Sequence, residues 1–350
     1  MIRNTLIVTA LFSCLWSAIA FSEANFPDSS GRQPLARPAI SIDLNDHDTR
    51  EEISSDMQGG WIYHETEADA IYDPDIGGYR LSWRSPYIGE LLEITWVPAS
   101  NLDVQVFTSV DIEPDTGKYK YHYTIVNGKN SFLKMSTFAV ESRTESFVGN
   151  RPSSDWRSQQ FPIQFWKEYY WAWSNTLGGA SGITPGDSFS DLYLESDGLP
   201  DVVTCLAWGN DPPIYCPVEL PPFVIDKQIL TSRIDRVSGV TVGPGELHTS
   251  VAKVRGHIEE SYRQGWLTSE SRRDVLLGYI EKLEVADSED DYGTFQSLCN
   301  ELLESVAAMR SDTSDPLSDE AYGLLHYNVA WLRDHAWNHK TPLKPQIKEE

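Results

Sequence analysis

The hydrophobic period of this chain changes once along its length, and that change limits the folds open to it. From residue 59 to about residue 225 the pattern is that of strands. Val104, Val106, Thr108 and Val110 alternate with Asp103, Gln105 and Ser109, while Tyr119, Tyr121, Tyr123 and Ile125 alternate with Lys118, Lys120, His122 and Thr124. A period of two puts each set on its own face, so both runs read as half-buried strands. Pro114-Asp115-Thr116-Gly117 supplies turn residues between them and predicts a hairpin. Asn127-Gly128 opens the next turn, ahead of a strand from Phe132 to Glu141. Further strands are predicted near 61–64, 79–83, 163–173, 188–195 and 201–208. Many short strands with turns between them predict an antiparallel β-sandwich.

Beyond Gly243-Pro244-Gly245 the apolar spacing becomes three and four. Leu247, Val251, Val254, Ile258 and Tyr262 outline one helix, and Leu276, Ile280 and Leu283 a second. Phe295, Leu298, Leu302, Val306 and Met309 outline a third, and Ala321, Leu324, Leu325, Asn328 and Leu332 a fourth. Thr268 and Ser318 are the expected N-caps of the second and fourth. The fold class is therefore α+β and multidomain, an antiparallel β-sandwich followed by a small four-helix bundle. The expected divisions are a signal peptide at 1–20, a flexible segment at 21–58, the sandwich at 59–225, a linker at 226–245, the bundle at 246–337 and a disordered tail at 338–350.

The first twenty residues read as a cleavable export signal. Arg3 is their only charge, an apolar run from Leu6 continues to Ile19, and Ala18-Ile19-Ala20 ends it with small residues at the two positions that signal peptidase inspects. The run is short for a spanning helix, which disfavours an uncleaved anchor. Cleavage near Ala20 predicts a secreted or periplasmic protein, with no membrane insertion of the mature chain.

The chain carries 52 acidic against 28 basic side chains, a net charge of −24. Such a surface repels phosphate backbones, so nucleic-acid binding is excluded as a reading. Of the cysteines left after cleavage, Cys205 and Cys216 are the expected disulfide in an oxidising compartment, with Gly209, Asn210, Pro212 and Pro213 turning the chain between them. Cys299 lies in a helical pattern and reads as a buried free thiol.

Part of the helical region also resembles a known family. Gly265-Trp266-Leu267-Thr268, Leu276-Leu277-Gly278-Tyr279-Ile280-Glu281-Lys282-Leu283 and Ala286 resemble the FIMAH-type helical module of secreted and surface bacterial proteins. The spacings Leu298, Leu302, Val306 and Leu317, Ala321, Leu324, Leu325, Asn328 fit its rhythm over residues 246–335. The resemblance implies a bacterial extracytoplasmic accessory module and brings no catalytic residues. In the β region, Tyr121-x-Tyr123-x-x-x-Asn127, Pro185-Gly186-Asp187-Ser188 and Ser196-x-x-Leu199-Pro200 are similar to an uncharacterised sandwich domain of exported bacterial proteins.

Catalytic and metal signals are weak. Gly186-Asp187-Ser188 matches the string that opens one class of serine esterases, but it follows a Pro-Gly turn and no Asp-x-x-His comes after it, so it reads as a turn entering a strand. His335 and His339 are four apart, with His326 nearby, yet His-Glu-x-x-His is missing. Asp111, Glu113, Asp115 and Gly117 alternate as in a calcium loop, and Asp287, Glu289, Asp290, Asp291 and Gly293 form a second acidic loop. The first lacks the glycine position and closing Glu of an EF-hand, and both read first as solvated turns. No cofactor is expected, calcium being the alternative weighed at these loops.

The most suggestive feature is an aromatic strand. Phe165, Tyr169, Trp171 and Trp173 share one face, and Trp166 and Tyr170 the other. Trp166, Tyr170, Tyr169, Trp171 and Trp173 are the candidate binding residues, since flat rings with polar tips suit sugar faces or a protein partner. A structural role, with the rings covered, is the competing reading. The chain is expected to be an exported, non-catalytic binding or structural protein whose ligand is a glycan, a cell-wall polymer or an extracellular protein. The alternative is a secreted hydrolase working through a carboxylate pair.

Overall fold

The computed structural model describes residues 34–37, 68–85, 88–153, 155–162, 169–175, 182–209 and 236–335. The expected signal peptide, Trp166, Cys216, His339 and the tail lie outside them.

Twelve strands and four helices are found among the described residues. β1 (Ala68–Asp73), β2 (Gly78–Arg84) and β3 (Leu91–Trp96) form an antiparallel meander around Tyr79, Leu81 and Trp96. β4 (Val104–Ile112), β5 (Tyr119–Asn127), β10 (Ser188–Ser196) and β7 (Phe147–Gly149) form a four-stranded sheet in that order. A five-stranded sheet runs β12 (Val237–Pro244), β11 (Pro200–Gly209), β6 (Met135–Ser142), β9 (Tyr169–Asn175) and β8 (Trp156–Pro162). All pairings are antiparallel.

The last two sheets make the sandwich. Tyr121, Tyr123 and Ile125 of β5 are fully buried, while the alternate Lys120, His122 and Thr124 are only partly so. Tyr123 packs against Phe138 of β6 and Trp173 of β9, with both ring centroids at 5.8 Å. The β4–β5 hairpin turns where Pro114 to Gly117 predicted, with Gly117 at φ 71° and its N–H donating to the Glu113 carbonyl.

Four helices follow: α1 (Val251–Arg263), α2 (Glu270–Ser288), α3 (Tyr292–Ser311) and α4 (Asp319–His335); their inward stripes are as expected except that Leu247 precedes the α1 cap and is exposed. Ser250, Ser269 and Asp291 cap the first three by accepting backbone N–H bonds. Thr268, the expected cap of α2, stands one residue early and instead donates to Asp315. Ser318 caps α4, accepting from Ala321 N at 3.2 Å.

The helices do not form a separate body. One continuous core holds Val104, Tyr123 and Val203 of the sandwich together with Val254, Ile280, Leu302 and Leu324 of the helices. β4 and β12 are edge strands on one side of the sandwich, and α4 covers that side. Glu320 accepts a 2.7 Å bond from Thr108 N, the Tyr327 hydroxyl donates to the Val110 carbonyl at 3.0 Å, and Asn328 Nδ2 donates to the Pro200 carbonyl at 2.7 Å. An edge with unpaired backbone groups is thereby closed from within the chain. Leu35 and Ala36 add to the closure, with Leu35 N donating to Val104 O and Ala36 bridging Ser238.

Three further expectations need correction. Residues 237–244, expected inside a linker, form β12, because Val237 and Val242 are both buried and the backbone pairs with β11 throughout. Residues 34–37, expected in a loose segment, are pinned by those backbone bonds and by burial of Leu35. Cys205 is a free thiol rather than half of a disulfide with Cys216. Its side chain points into the sandwich core from the middle of β11, between partners Gly239 and Val140, and burial pushes the thiol up to about 12. Cys299 is free and buried, as expected.

Candidate functional site

The aromatic strand is mostly enclosed. Trp173 faces the sandwich core and is fully buried, its indole N–H donating to the Asn150 carbonyl at 3.0 Å. Tyr170, on the opposite face, is also fully buried, in a second cluster with Ala139, Ala172 and Leu206. Neither ring can meet a ligand, which corrects the binding expectation for both. Trp171 is half-buried, edge-on to Phe147 at 6.0 Å, with Gly149 packed so close that a Cβ there would lie 2.0 Å from its Nε1. Tyr169 is the first residue of β9. Rings on both faces of one strand are explained by a sheet covered on both sides.

The other sequence candidates are dispersed. Gly186, at φ 90°, closes a turn in which Asp187 N donates to Thr184 O, and Ser188 begins β10. Asp111 and Glu113 face His122 and Lys120 across the hairpin. Asp290, at φ 58°, and the cap Asp291 turn the chain between α2 and α3. His326 stacks on Tyr322 at 4.9 Å and His335 on Trp331 at 4.4 Å. Among the described residues no group of three or more His, Cys, Asp or Glu side chains is placed to hold a metal ion.

Two further features stand out. One is a charge cluster around the buried Asp201, where α1 meets the start of β11. Lys253 and His257, one turn apart on α1, both reach Asp201: Nζ at 2.9 Å and Nε2 at 3.0 Å. Arg143, just after β6, reaches the same carboxylate at 2.7 Å and Glu141 at 3.5 Å. Burial alone would raise the Asp201 pKa, but the His257 contact, then Lys253 and Arg143, overcome it and hold the carboxyl well below the usual range. Glu141 also accepts from Thr204 N at 2.9 Å. A carboxylate held as Asp201 is makes a poor nucleophile and a poor proton acceptor, and it suits a structural seam.

The other is a groove of about 530 Å³ between α2 and the start of α3. Gly278, Lys282, Val285 and Ala286 line it from α2, and Thr294 and Leu298 from α3, with Glu281, Glu289 and Asp291 at the rim. No family model matches the chain, and no curated protein matches it. What the groove can do follows from its side chains. Its floor is the buried Leu298 and Ala286, while Val285 stands 55% exposed on one wall. Glycine in a helix interior costs about 0.5–1 kcal/mol relative to alanine, yet a Cβ at Gly278 would meet nothing within 4 Å. No neighbour in the chain requires glycine there, and the bare backbone deepens the groove.

Reading the sequence by helical period found the inward stripe of α2 and missed the outward one. The signal for it was present: Val275, Gly278, Lys282 and Val285 recur at spacings of three and four. The Asp201 cluster carried no signal, since His257 lies 56 residues from Asp201 in sequence.

Proposed function

We propose that this protein is an exported, non-catalytic binding protein, in which the sandwich is the scaffold and the helical region presents the ligand surface. The groove between α2 and α3 carries this reading: it is an open, apolar concavity with a charged rim, whereas Tyr170 and Trp173 are enclosed. Such a surface favours a protein segment over a glycan or cell-wall polymer, because sugar recognition draws on exposed aromatic faces. Engagement of Asp201, Glu141 and Glu320 by internal partners speaks for binding and against hydrolysis by a carboxylate pair. The opening twenty residues support export, and the likeness of residues 246–335 to FIMAH-type modules supports an extracytoplasmic accessory role. No helix among the described residues is long and apolar enough to cross a membrane.

The test uses immobilised residues 21–350 against panels of glycans, wall polymers and peptides, with recovered ligand analysed by mass spectrometry. A ligand retained and recovered intact is expected; a ligand recovered cleaved overturns the reading in favour of the hydrolase. Fusion of residues 1–30 to a reporter active only outside the cytoplasm tests the export step. An active, processed reporter is expected, and an inactive one removes the extracytoplasmic assignment.

A further inference from the structure

The binding reading leaves the chemistry of the ligand open, and the groove narrows it. Resting on that reading, we propose that the groove between α2 and α3 takes a cationic amphipathic segment of a partner protein, seated as a helix. α2 is apolar on two sides. Leu276, Ile280 and Leu283 are fully buried toward the other helices. Val275 and Val285, 48% and 55% exposed, lie with Gly278 on a second stripe that no described residue covers. An exposed stripe at helical spacing is the counterpart of a helix that places its anchors at i, i+3, i+4 and i+7. From Gly278 to Glu289 the groove runs about 16 Å along α2, or three turns.

Gly278 sets how closely that helix approaches. With no side chain between them, a partner's apolar anchor reaches the α2 backbone itself. Charge sets the partner's sign. Glu281, Glu289 and Asp291 rim the groove, while the one cation among its lining residues, Lys282, has its ammonium over the Tyr279 ring at 5.4 Å. A segment with Lys or Arg beside its apolar anchors is attracted there, and an acidic one is repelled, the more so by a chain of net charge −24.

The experiment measures binding of residues 21–350 to three fluorescein-labelled 15-residue probes by anisotropy. One is a Leu/Lys amphipathic helix, the second its Leu/Glu counterpart, the third a Lys/Ser peptide without an apolar stripe. The Leu/Lys probe is expected to bind saturably, at least tenfold more tightly than either control. Gly278→Leu, which fills the groove and favours the helix, is expected to weaken it at least tenfold with circular dichroism and melting temperature retained. Glu289→Lys is expected to weaken it severalfold, and raised salt likewise. Equal binding to Gly278→Leu and to the unaltered chain would overturn the proposal, leaving only diffuse attraction to an acidic surface. Binding seen only after truncation at His335 would overturn it too, since residues 336–350 of the same chain would then be the occupant. If none of the probes binds while the panel still yields a ligand recovered intact, this inference falls and the binding reading stands; a cleaved panel ligand removes both.

Discussion

Single side chains in this protein show where polar groups have been enclosed. The Tyr123 hydroxyl is buried with no hydrogen-bond partner among the described residues, and burial holds its pKa well above that of an exposed tyrosine. Removing an unsatisfied polar atom forfeits no bond, so Tyr123→Phe is expected to leave stability unchanged or raise it by about 1 kcal/mol in urea denaturation. A loss of more than that would mean the hydroxyl is bonded. Burial pushes both Cys205 and Cys299 up to about 12, so neither supplies appreciable thiolate near neutrality. In a Cys216→Ser background both are expected to resist Ellman's reagent at pH 8 and to react fully in guanidinium chloride; rapid reaction of the native protein would contradict their burial. The sequence showed Cys299 correctly because its helix phase pointed inward. It misled on Cys205, because nearby Gly and Pro suggested a turn, while the residue itself belongs to a strand paired on both sides.

At the scale of elements, regular periods were legible and contacts between distant segments were not. The β4–β5 hairpin and the inward faces of the four helices could be read directly, because alternation and a spacing of three or four each imply one burial direction. The aromatic strand β9 could not be decided, since rings on both faces fit an exposed face as well as a covered one; only the cluster of Tyr170 with Leu206 answers that. The seam between α1 and β11 depends on Asp201 meeting Lys253, Arg143 and the His257 ring. Asp201→Asn is expected to cost about 2 kcal/mol at pH 7, because half-buried Lys253 and the more exposed Arg143 lose their counter-charge. The pH dependence follows from the lowered folded-state pKa of Asp201. Its contribution is present above the unfolded value of about 4 and is lost as pH falls through the folded pKa. The stability gap between the unaltered chain and Asp201→Asn should therefore narrow below about pH 4. A gap that stays constant to pH 2 would place the seam's stabilisation elsewhere.

For the whole molecule, the continuous core matters more than the division into strands and helices. Since Val104, Tyr123 and Leu324 belong to one cluster, scanning calorimetry is expected to show a single transition rather than separate peaks for sandwich and helices. A chain ending at Gly245 should fail to give the sandwich, because α4 would no longer cover the edge at Thr108 and Val110. Recovery of a soluble, cooperatively melting fragment would show that the two regions fold independently. Closure of that edge also has a consequence in time. Glu320 meets Thr108 across 212 residues of sequence, so α4, made long after β4, completes that edge of the sandwich. Contacts of such separation form late and slowly. A chain exported as proposed thus keeps its own fold unfinished until α4 is available. For a chain so exported, that delay would suit passage through a channel that admits only unfolded chain, with stability gained once α4 has docked on the sandwich edge.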